Sequence, residues 1–226
     1  MKIGVIGAGR IGGNCARQAL KGGHEVMLSF SRDPSKLEAL AAELGSDRVS
    51  VGTPAEAVAF GEVVILSVPW GAIPEALLAA GDLSGKLVVD TTNQFGSGPK
   101  PRAGETAASF NSARMPSARY VKSFNTLTSR FQADAAGRSG EDRVVQWICG
   151  DDVEAKEIVG RLIEDMGYAP VDLGGTAASA VMEAPRRPGA VYGEEYRAAD
   201  AQGVLDAVRA GAEIPPTPAY GRATGR

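Results

Sequence analysis

The feature that most constrains the fold is a glycine-rich turn near the start of the chain, Gly7-Ala8-Gly9-Arg10-Ile11-Gly12. An apolar run at residues 2–6 predicts a strand before the turn, and the pattern at 11–21 predicts a helix after it. In this order the first glycine permits the turn, the second lets a pyrophosphate approach the backbone, and the third lets helix and strand pack closely. The helix start adds free N–H groups and a positive dipole end. The pattern therefore favours a dinucleotide-binding turn over a plain glycine turn.

Alternating short apolar runs and helical patterns continue along the chain and predict an α/β fold. The expected class is Rossmann-type and doubly wound, with a mostly parallel sheet and a short C-terminal extension. We expect a nucleotide-binding domain at 1–175 and an extension at 176–226. The reason is that residues 183–189 are polar and rich in proline, unlike the alternating strands and helices before them. Within the extension, the sequence predicts a helix at 194–209 and a loose tail at 214–226.

Composition limits the classes of function. The 226 residues carry a net charge of -3 without long runs of one sign, which is not the footprint of a nucleic-acid-binding protein. Cys15 and Cys149 are far apart and form neither a disulfide framework nor a zinc motif, so no metal is expected. We find no signal peptide or membrane span in the sequence. These observations predict a cytoplasmic protein with small-molecule partners.

The end of the second predicted strand, Ser29-Phe30-Ser31-Arg32, indicates which dinucleotide binds. A carboxylate here would bond the ribose 2′-OH of NAD, whereas Ser31, Arg32 and Lys36 suit the 2′-phosphate of NADP. Asp33 precedes Pro34 and is interpreted as a helix N-cap, the alternative being a ribose ligand. For Arg32 and Lys36 the alternative is an ordinary solvated helix start. The sequence thus favours NADP.

A second set of candidates follows later strands. Because ligands bind at the carboxyl ends of strands in open α/β sheets, Trp70 and Phe124 are expected to form an apolar wall for a planar ring. Asn93 and Asn125 would fix the orientation of that ring. The alternative is that the two aromatic residues pack in the core and the two asparagines close turns. Lys122, at the end of a strand, is expected in solvent, the alternative being a contact with an anion near the crevice.

Titratable groups offer no obvious acid or base. The single histidine, His24, falls between the first helix and the second strand, at the edge opposite the crevice, so we expect a structural role. No catalytic residue is assigned from the sequence. Hydride transfer between two rings is compatible with this, because it needs positioning and a dry pocket more than a strong acid or base. A further hypothesis is that Arg186 and Arg187 bind the acidic tail of a coenzyme through charge-assisted hydrogen bonds.

Several blocks together resemble the NADP oxidoreductases that work with the deazaflavin coenzyme F420. They are the glycine turn with the Leu28-Ser29-Phe30-Ser31-Arg32 strand end, Ser67-Val68-Pro69-Trp70, Asp90-Thr91-Thr92-Asn93, Val121-Lys122-Ser123-Phe124-Asn125-Thr126-Leu127 and Gly150-Asp151-Asp152. The resemblance covers most of residues 1–184. It implies hydride exchange between NADP(H) and the deazaflavin, with the nicotinamide near Ser67, Val68, Pro69 and Asn93, and a homodimer.

Three functional hypotheses follow. The leading one is an NADP-dependent oxidoreductase with the deazaflavin as hydride partner, and with flavin, imine or metal-ion acceptors as alternatives. The second is a non-catalytic NADP-binding redox sensor, because a fold does not fix a function. The third is a relative of the imine or pyrroline-carboxylate reductases, which would need a larger helical second domain than the last fifty or so residues suggest. Residues 182–196 extend beyond the short ending expected of F420 reductases, so they bear on the second substrate.

Overall fold

The computed structural model describes residues 1–218 and 220, and its centre is one eight-stranded sheet. The strand order is β3-β2-β1-β4-β5-β6-β7-β8, with every neighbouring pair parallel except β6 and β7. The strands are Lys2–Ile6 (β1), Glu25–Ser29 (β2), Val49–Val51 (β3), Val63–Leu66 (β4), Leu87–Asp90 (β5), Arg119–Lys122 (β6), Val145–Cys149 (β7) and Ala169–Gly174 (β8). The predicted class, a Rossmann-type and mostly parallel α/β fold, is confirmed.

Helices cover both faces of this sheet because each presents an apolar stripe to it. The α-helices are Arg10–Lys21 (α1), Ser35–Leu44 (α2), Pro54–Phe60 (α3), Ile73–Ala80 (α4), Ala107–Ser112 (α5), Ser129–Ala135 (α6), Val153–Asp165 (α7) and Ala201–Ala210 (α8). Buried residues of α1, α2, α6 and α7 share one hydrophobic cluster, and those of α3, α4 and α5 share a second on the opposite face. The sheet is therefore sandwiched between two helical layers.

The pair β7–β8 joins the sheet with reversed direction. Lys122, the last residue of β6, pairs with Cys149, the last residue of β7. Because the two strands are antiparallel, the earlier residues of β7 lie beyond the end of β6, past the carboxyl edge of the parallel strands. The pair thus stands beside that edge, and a third hydrophobic cluster packs Trp147 against Tyr196 and Val204 of the extension.

The extension departs from the expectation in two respects. The helix predicted at 194–209 is shorter, since α8 starts at Ala201 after a single 3-10 turn at Ala198–Asp200. The tail predicted to be loose is anchored at its start, because Ile214 is buried and the Tyr196 hydroxyl donates to the carbonyl of Pro215. Residue 219 and residues 221–226 of that tail lie outside the described residues. The domain boundary near residue 175 and the homodimer stay predictions.

None of the helices within residues 1–218 is long and apolar enough to cross a membrane. Groups of three or more metal-ligating side chains are likewise absent from the described part of the chain. Both cysteines are buried and unpaired, and burial raises the pKa of each thiol to about 12.

Candidate functional site

The topology itself locates the crevice. β1 lies between β2 and β4, so the chain winds outward in opposite directions on the two sides of β1. The connections leave a gap at this switch point, and in open α/β sheets ligands bind there, beyond the carboxyl ends of the strands. The glycine turn follows β1 directly and lies at this gap.

Contacts within the protein leave no room for a side chain at Gly7 and Gly12, whereas they leave room at Gly9. Gly7 has a φ of 96°, and a Cβ there would lie 2.4 Å from the carbonyl oxygen of Ser67. A Cβ on Gly12 would lie 2.0 Å from the carbonyl oxygen of Gly7, so helix and turn could not approach as they do. At Gly9, by contrast, no described atom lies within 4 Å of a Cβ position. The space beside Gly9 is open to a ligand.

The start of α1 is an uncapped helix end at this open space. The first N–H groups of a helix lack partners within the helix. The N-cap residue Gly9 supplies no side-chain bond, and the first turn holds no acidic residue. Side chains fill this role at α3, α5, α6 and α7, as Thr53 does for α3 and Asp152 for α7, whereas α2, α4 and α8 also start without a side-chain cap. The α1 end therefore keeps donors and a positive dipole for an anion such as pyrophosphate.

The end of β2 carries two cations without partners. Arg32 and Lys36 are both exposed, and neither side chain has a hydrogen-bond or ion-pair partner within residues 1–218. Ser31 Oγ bonds the backbone of Asp33, donating to its carbonyl at 2.8 Å and accepting from its N–H at 3.1 Å. The Ser31 hydroxyl therefore shapes the turn, and Arg32 and Lys36 supply two exposed positive charges after β2, which suit a phosphate.

Asp33 is held by the start of α2. Its Oδ1 accepts hydrogen bonds from the N–H and the hydroxyl of Ser35, at 3.2 and 2.7 Å, and the hydroxyl bond contributes most to lowering the pKa of Asp33. The helix begins at Ser35, one residue later than predicted, with Pro34 in the N-cap position. The prediction that Asp33 is the N-cap is therefore wrong by one residue, although its carboxylate still bonds the first residue of the helix.

The ends of β4 and β5 lie next to the glycine turn. The Thr91 hydroxyl donates to Ser67 Oγ at 3.0 Å. Val68 is buried against the turn, with its Cγ1 2.7 Å from where a Gly7 Cβ would be, whereas Pro69 is exposed. The residues assigned from the sequence to pyrophosphate and nicotinamide are thus brought to one edge.

The expected aromatic wall is wrong. Trp70 is only 1% exposed: its indole N–H donates to the carbonyl of Pro99 at 2.7 Å, and its ring stacks on Phe110. Phe124 is also 1% exposed and packs edge-on against Tyr168 in the core. Trp70 opens a 3-10 turn, and Phe124 has a left-handed backbone with a φ of 57°. In both cases the ring fills a core cluster instead of facing the crevice.

Asn93 and Asn125 do meet, as the strand-end rule predicted. Asn93 Nδ2 donates to the carbonyl of Asn125 at 2.8 Å, and Asn125 Nδ2 donates to Asn93 Oδ1 at 3.2 Å. Asn125 Nδ2 also lies 2.6 Å from the carbonyl oxygen of Met182, and the Ala184 N–H donates to Asn93 Oδ1 at 3.3 Å. The two side chains therefore tie the extension to the carboxyl edge of β5 and β6.

The expectation that Lys122 is solvated is wrong. Lys122 and Asp90 are both fully buried, with Nζ 3.4 Å from Asp90 Oδ2 and 2.8 Å from the carbonyl oxygen of Thr92. Burial alone would raise the pKa of the Asp90 carboxyl, but the Lys122 cation and hydrogen bonds outweigh it and hold that pKa below its ordinary value. The hydrogen bonds come from Tyr120 Oη, Asn111 Nδ2 and the Thr92 N–H.

The sequence does contain a signal for this pair. Asp90 is the last residue of the otherwise apolar strand β5, Lys122 is the last residue of β6, and the two strands are neighbours in the sheet with these two residues in register. An acid and a base at the same end of neighbouring strands face each other, and buried charges need such partners. The pair holds the carboxyl ends of β5 and β6 together inside the protein.

Three further residues have structural contacts. His24 is buried at the amino edge, with Nε2 3.2 Å from Asp165 Oδ2, and burial is the main cause of its lowered pKa. Arg186 pairs with Glu194. Arg187 donates to the carbonyls of Glu183 and Ala180 in its own segment. Both arginines are therefore already engaged by protein groups, which weakens the hypothesis that they bind an acidic tail.

Comparison with known proteins agrees with this geometry. Residues 2–94 match the family described as NADP oxidoreductase, coenzyme F420-dependent. The matched range contains the glycine turn, the β2 end with Arg32 and the strand ends up to Asn93. The resemblance inferred from the sequence is confirmed over these residues.

Relatives extend the likeness over most of the chain. Metalloreductase STEAP3 of Rattus norvegicus is 29% identical over 183 residues, which is 81% of this chain and 36% of that protein. This chain thus spans about a third of the length of the curated relatives it matches. A putative F420-dependent NADP-reductase from Arthrobacter sp. FB24 is 28% identical, covering 80% of this chain and 87% of that one, with a TM-score of 0.66.

A reductive aminase from Aspergillus terreus, solved in complex with NADPH and ethyl levulinate, is 26% identical. The likeness covers 79% of this chain and 56% of the aminase, with a TM-score of 0.57. The names and titles of these proteins all describe reductive enzymes, but the acceptors they give differ.

Proposed function

We propose that this protein is an oxidoreductase that transfers a hydride between NADP(H) and a deazaflavin coenzyme or a similar planar acceptor. The observation that carries the proposal is the uncapped start of α1 beside the open space at Gly9, together with the Arg32 and Lys36 cations after β2, which have no partner within residues 1–218. One of these features accepts a pyrophosphate and the other a 2′-phosphate.

The residues divide along the crevice by the part of NADP(H) they would hold. The pyrophosphate would lie on the glycine turn, the 2′-phosphate at the β2 end, and the nicotinamide at the β4 and β5 ends. The proposed contacts are Gly7, Ala8, Gly9, Arg10, Ile11 and Gly12 for the pyrophosphate, Ser31, Arg32 and Lys36 for the 2′-phosphate, and Ser67, Val68, Pro69 and Asn93 for the nicotinamide.

The chain's own contribution to the chemistry is positioning. When bound, NADPH supplies a hydride, and reduction of the acceptor ring takes up one further proton from solvent. Asn93 and Asn125 bond each other and the extension, so the far side of the crevice has a fixed shape. Holding two rings in reactive contact lowers the barrier without an acid or base, so we assign no catalytic residue.

The direct experiment mixes the protein with NADPH and oxidised coenzyme F420 and follows loss of the coenzyme's visible absorption. We expect bleaching with NADPH and much slower bleaching with NADH. Turnover with neither nucleotide, together with tight NADPH binding, would contradict the proposed acceptor and favour the redox sensor.

An imine acceptor is a second candidate. The likeness to a protein named as a reductive aminase and solved with NADPH supports it, because the two chains are 26% identical over 79% of this chain. NADPH oxidation with a cyclic imine, measured beside the deazaflavin assay at equal enzyme concentration, ranks the two acceptors. Ferric ion and riboflavin in the same assay test the metal-ion and flavin alternatives, the former suggested by the metalloreductase relative.

A further inference from the structure

We call the part of the crevice after β5 and β6 the acceptor half, because the proposed acceptor would bind there. The extension contacts this half at three backbone positions. The Met182 carbonyl accepts from Asn125, and the Ala184 N–H donates to Asn93. The Gly193 N–H donates to the carbonyl of Thr126 at 2.8 Å. Residues 182–193 therefore lie along the carboxyl ends of β5 and β6, beside the positions proposed for the nicotinamide.

Two aromatic rings meet where these segments meet. Phe95 follows β5, and its N–H donates to the carbonyl of Asn93 at 2.7 Å. Its ring centroid is 6.3 Å from that of Tyr192, with an angle of 55° between the planes. Phe95 is 57% exposed, although phenylalanine is usually buried. Tyr192 is half-buried, and its hydroxyl has no hydrogen-bond partner within the described part of the chain.

Buried polar atoms without partners lie in the adjacent segment after β6. Ser123 Oγ, Asn125 Oδ1 and Thr126 Oγ1 have no hydrogen-bond partner among the described residues, and all three residues are at least 96% buried. Such atoms are uncommon in native proteins and call for an explanation. Since the same segment carries Asn125 and binds the extension, the acceptor half combines an exposed aromatic pair with unsatisfied hydrogen-bonding groups.

We propose that Phe95 and Tyr192 form the aromatic wall of the acceptor subsite, which takes a planar heteroaromatic ring with polar atoms along one edge. This inference rests on the proposed function and replaces Trp70 and Phe124 as the wall. A ring stacked against the pair gains the offset or edge contacts that aromatic groups prefer. The Tyr192 hydroxyl is available to its edge, and the unsatisfied polar atoms of Ser123, Asn125 and Thr126 lie in the buried segment behind the wall.

Tyr192 adds a hydrogen-bond donor to this wall. Burial raises the pKa of its phenol above the ordinary value, so the hydroxyl keeps its proton at neutral pH. An O–H that is free of protein partners can donate to a ring carbonyl of the acceptor. The substitution Tyr192→Phe removes this donor and keeps the ring, whereas Tyr192→Leu removes both.

Riboflavin is the probe, because its ring has the shape and the polar edge of a deazaflavin and its fluorescence reports binding. Titration in saturating NADP⁺ compares the native chain with Phe95→Leu, Tyr192→Leu and Tyr192→Phe. We expect the two leucine variants to weaken riboflavin binding about 3- to 10-fold, and Tyr192→Phe by a smaller factor. NADPH affinity should stay within about twofold.

Phe60→Leu is the matched control, since Phe60 is a partly exposed phenylalanine beside Lys2 at the start of β1, on the opposite edge. It should leave riboflavin binding unchanged. Thermal unfolding of each variant separates lost binding from lost structure, and the exposure of Phe95 predicts little change there.

The outcomes separate the two proposals. Failure of the native chain to bind NADPH would overturn the proposed function. NADPH binding without riboflavin binding, or riboflavin affinities that are equal in the native chain and the leucine variants, would overturn the aromatic wall and leave the NADP site standing.

Discussion

The two halves of the crevice are built in different ways. The nucleotide half, after β1, β2 and β4, depends on backbone: two glycines that no other residue could replace, a helix start without a cap, and a short serine turn. The acceptor half, after β5 and β6, depends on side chains that bond segments far apart in sequence, such as Asn125 with Met182 and Asn93 with Ala184. A pyrophosphate is bound by main-chain N–H groups, whereas an acceptor must be selected by side chains.

The two halves share one backbone feature, a left-handed residue just after a strand. Among the residues that the structure describes, two that are not glycine have a positive φ: Phe30 after β2, at 59°, and Phe124 after β6, at 57°. Such a conformation is unfavourable for a residue with a Cβ and tends to occur at functional sites. Each half therefore turns its chain sharply just beyond a strand end, and the surrounding packing holds the turn.

The largest expected effect concerns the support of the acceptor half. Asp90→Asn removes the partner of a fully buried lysine, so we expect a loss of about 3–5 kcal/mol in the free energy of unfolding. Chemical denaturation measures it. The control is Asp172→Asn, which breaks a shorter lysine pair, 2.8 Å to Lys156, that is half exposed on the acid side. That variant should lose about 1 kcal/mol or less, and equal losses in both would contradict the importance of burial.

Within the nucleotide half, Gly12→Ala and Gly9→Ala separate packing from ligand access. The methyl group that Gly12→Ala adds would clash with the Gly7 carbonyl, so we expect NADPH affinity to fall by about 100-fold or more, equivalent to about 2.7 kcal/mol, with a lower unfolding temperature. Gly9→Ala should also weaken NADPH binding but leave the unfolding temperature unchanged, because its methyl group meets open space. Fluorescence titration and thermal unfolding give both quantities. A lower unfolding temperature for Gly9→Ala would contradict the assignment of that space to the ligand.

The choice of dinucleotide should depend on the end of β2. Arg32→Ala removes a cation from the proposed 2′-phosphate site, so NADPH affinity should fall about 10- to 100-fold while NADH affinity changes less than about twofold. Lys21→Ala, an exposed cation at the far end of α1, is the control and should change neither. Equal losses for NADPH and NADH would show that Arg32 does not recognise the phosphate.

A smaller effect is expected from acid. Because the pKa of Asp90 is lower in the folded chain than its ordinary value of 3.8, its ionised form stabilises the fold above that value. This contribution should disappear as the pH falls below about 4 and the carboxyl is protonated. Unfolding measured between pH 6 and pH 3 should show a steeper loss for the native chain than for Asp90→Asn. Parallel curves would assign the acid sensitivity to other carboxylates.

Sequence reasoning succeeded where local rules determine structure. The glycine turn, the strand–helix alternation and the bond between Asp33 and the start of α2 each depend on residues close together in the chain. It failed for Trp70 and Phe124, because a strand-end position places a residue at the crevice but does not say whether its ring turns inward. The burial of Lys122 and the packing of Ile214 depend on partners from distant segments, which local patterns do not specify.

The single meeting point of β6 and β7 has a consequence for how such proteins diversify. Within the described part of the sheet, only Lys122 and Cys149 are paired between the reversed strands and the other six. The segment that carries Tyr192 follows β8, so it can vary without breaking the ladder of the six parallel strands. Helix α7 cannot vary in the same way, because its buried residues share a core cluster with those of α1. A change of acceptor would then need new residues in the Tyr192 segment only, with the proposed dinucleotide site left intact.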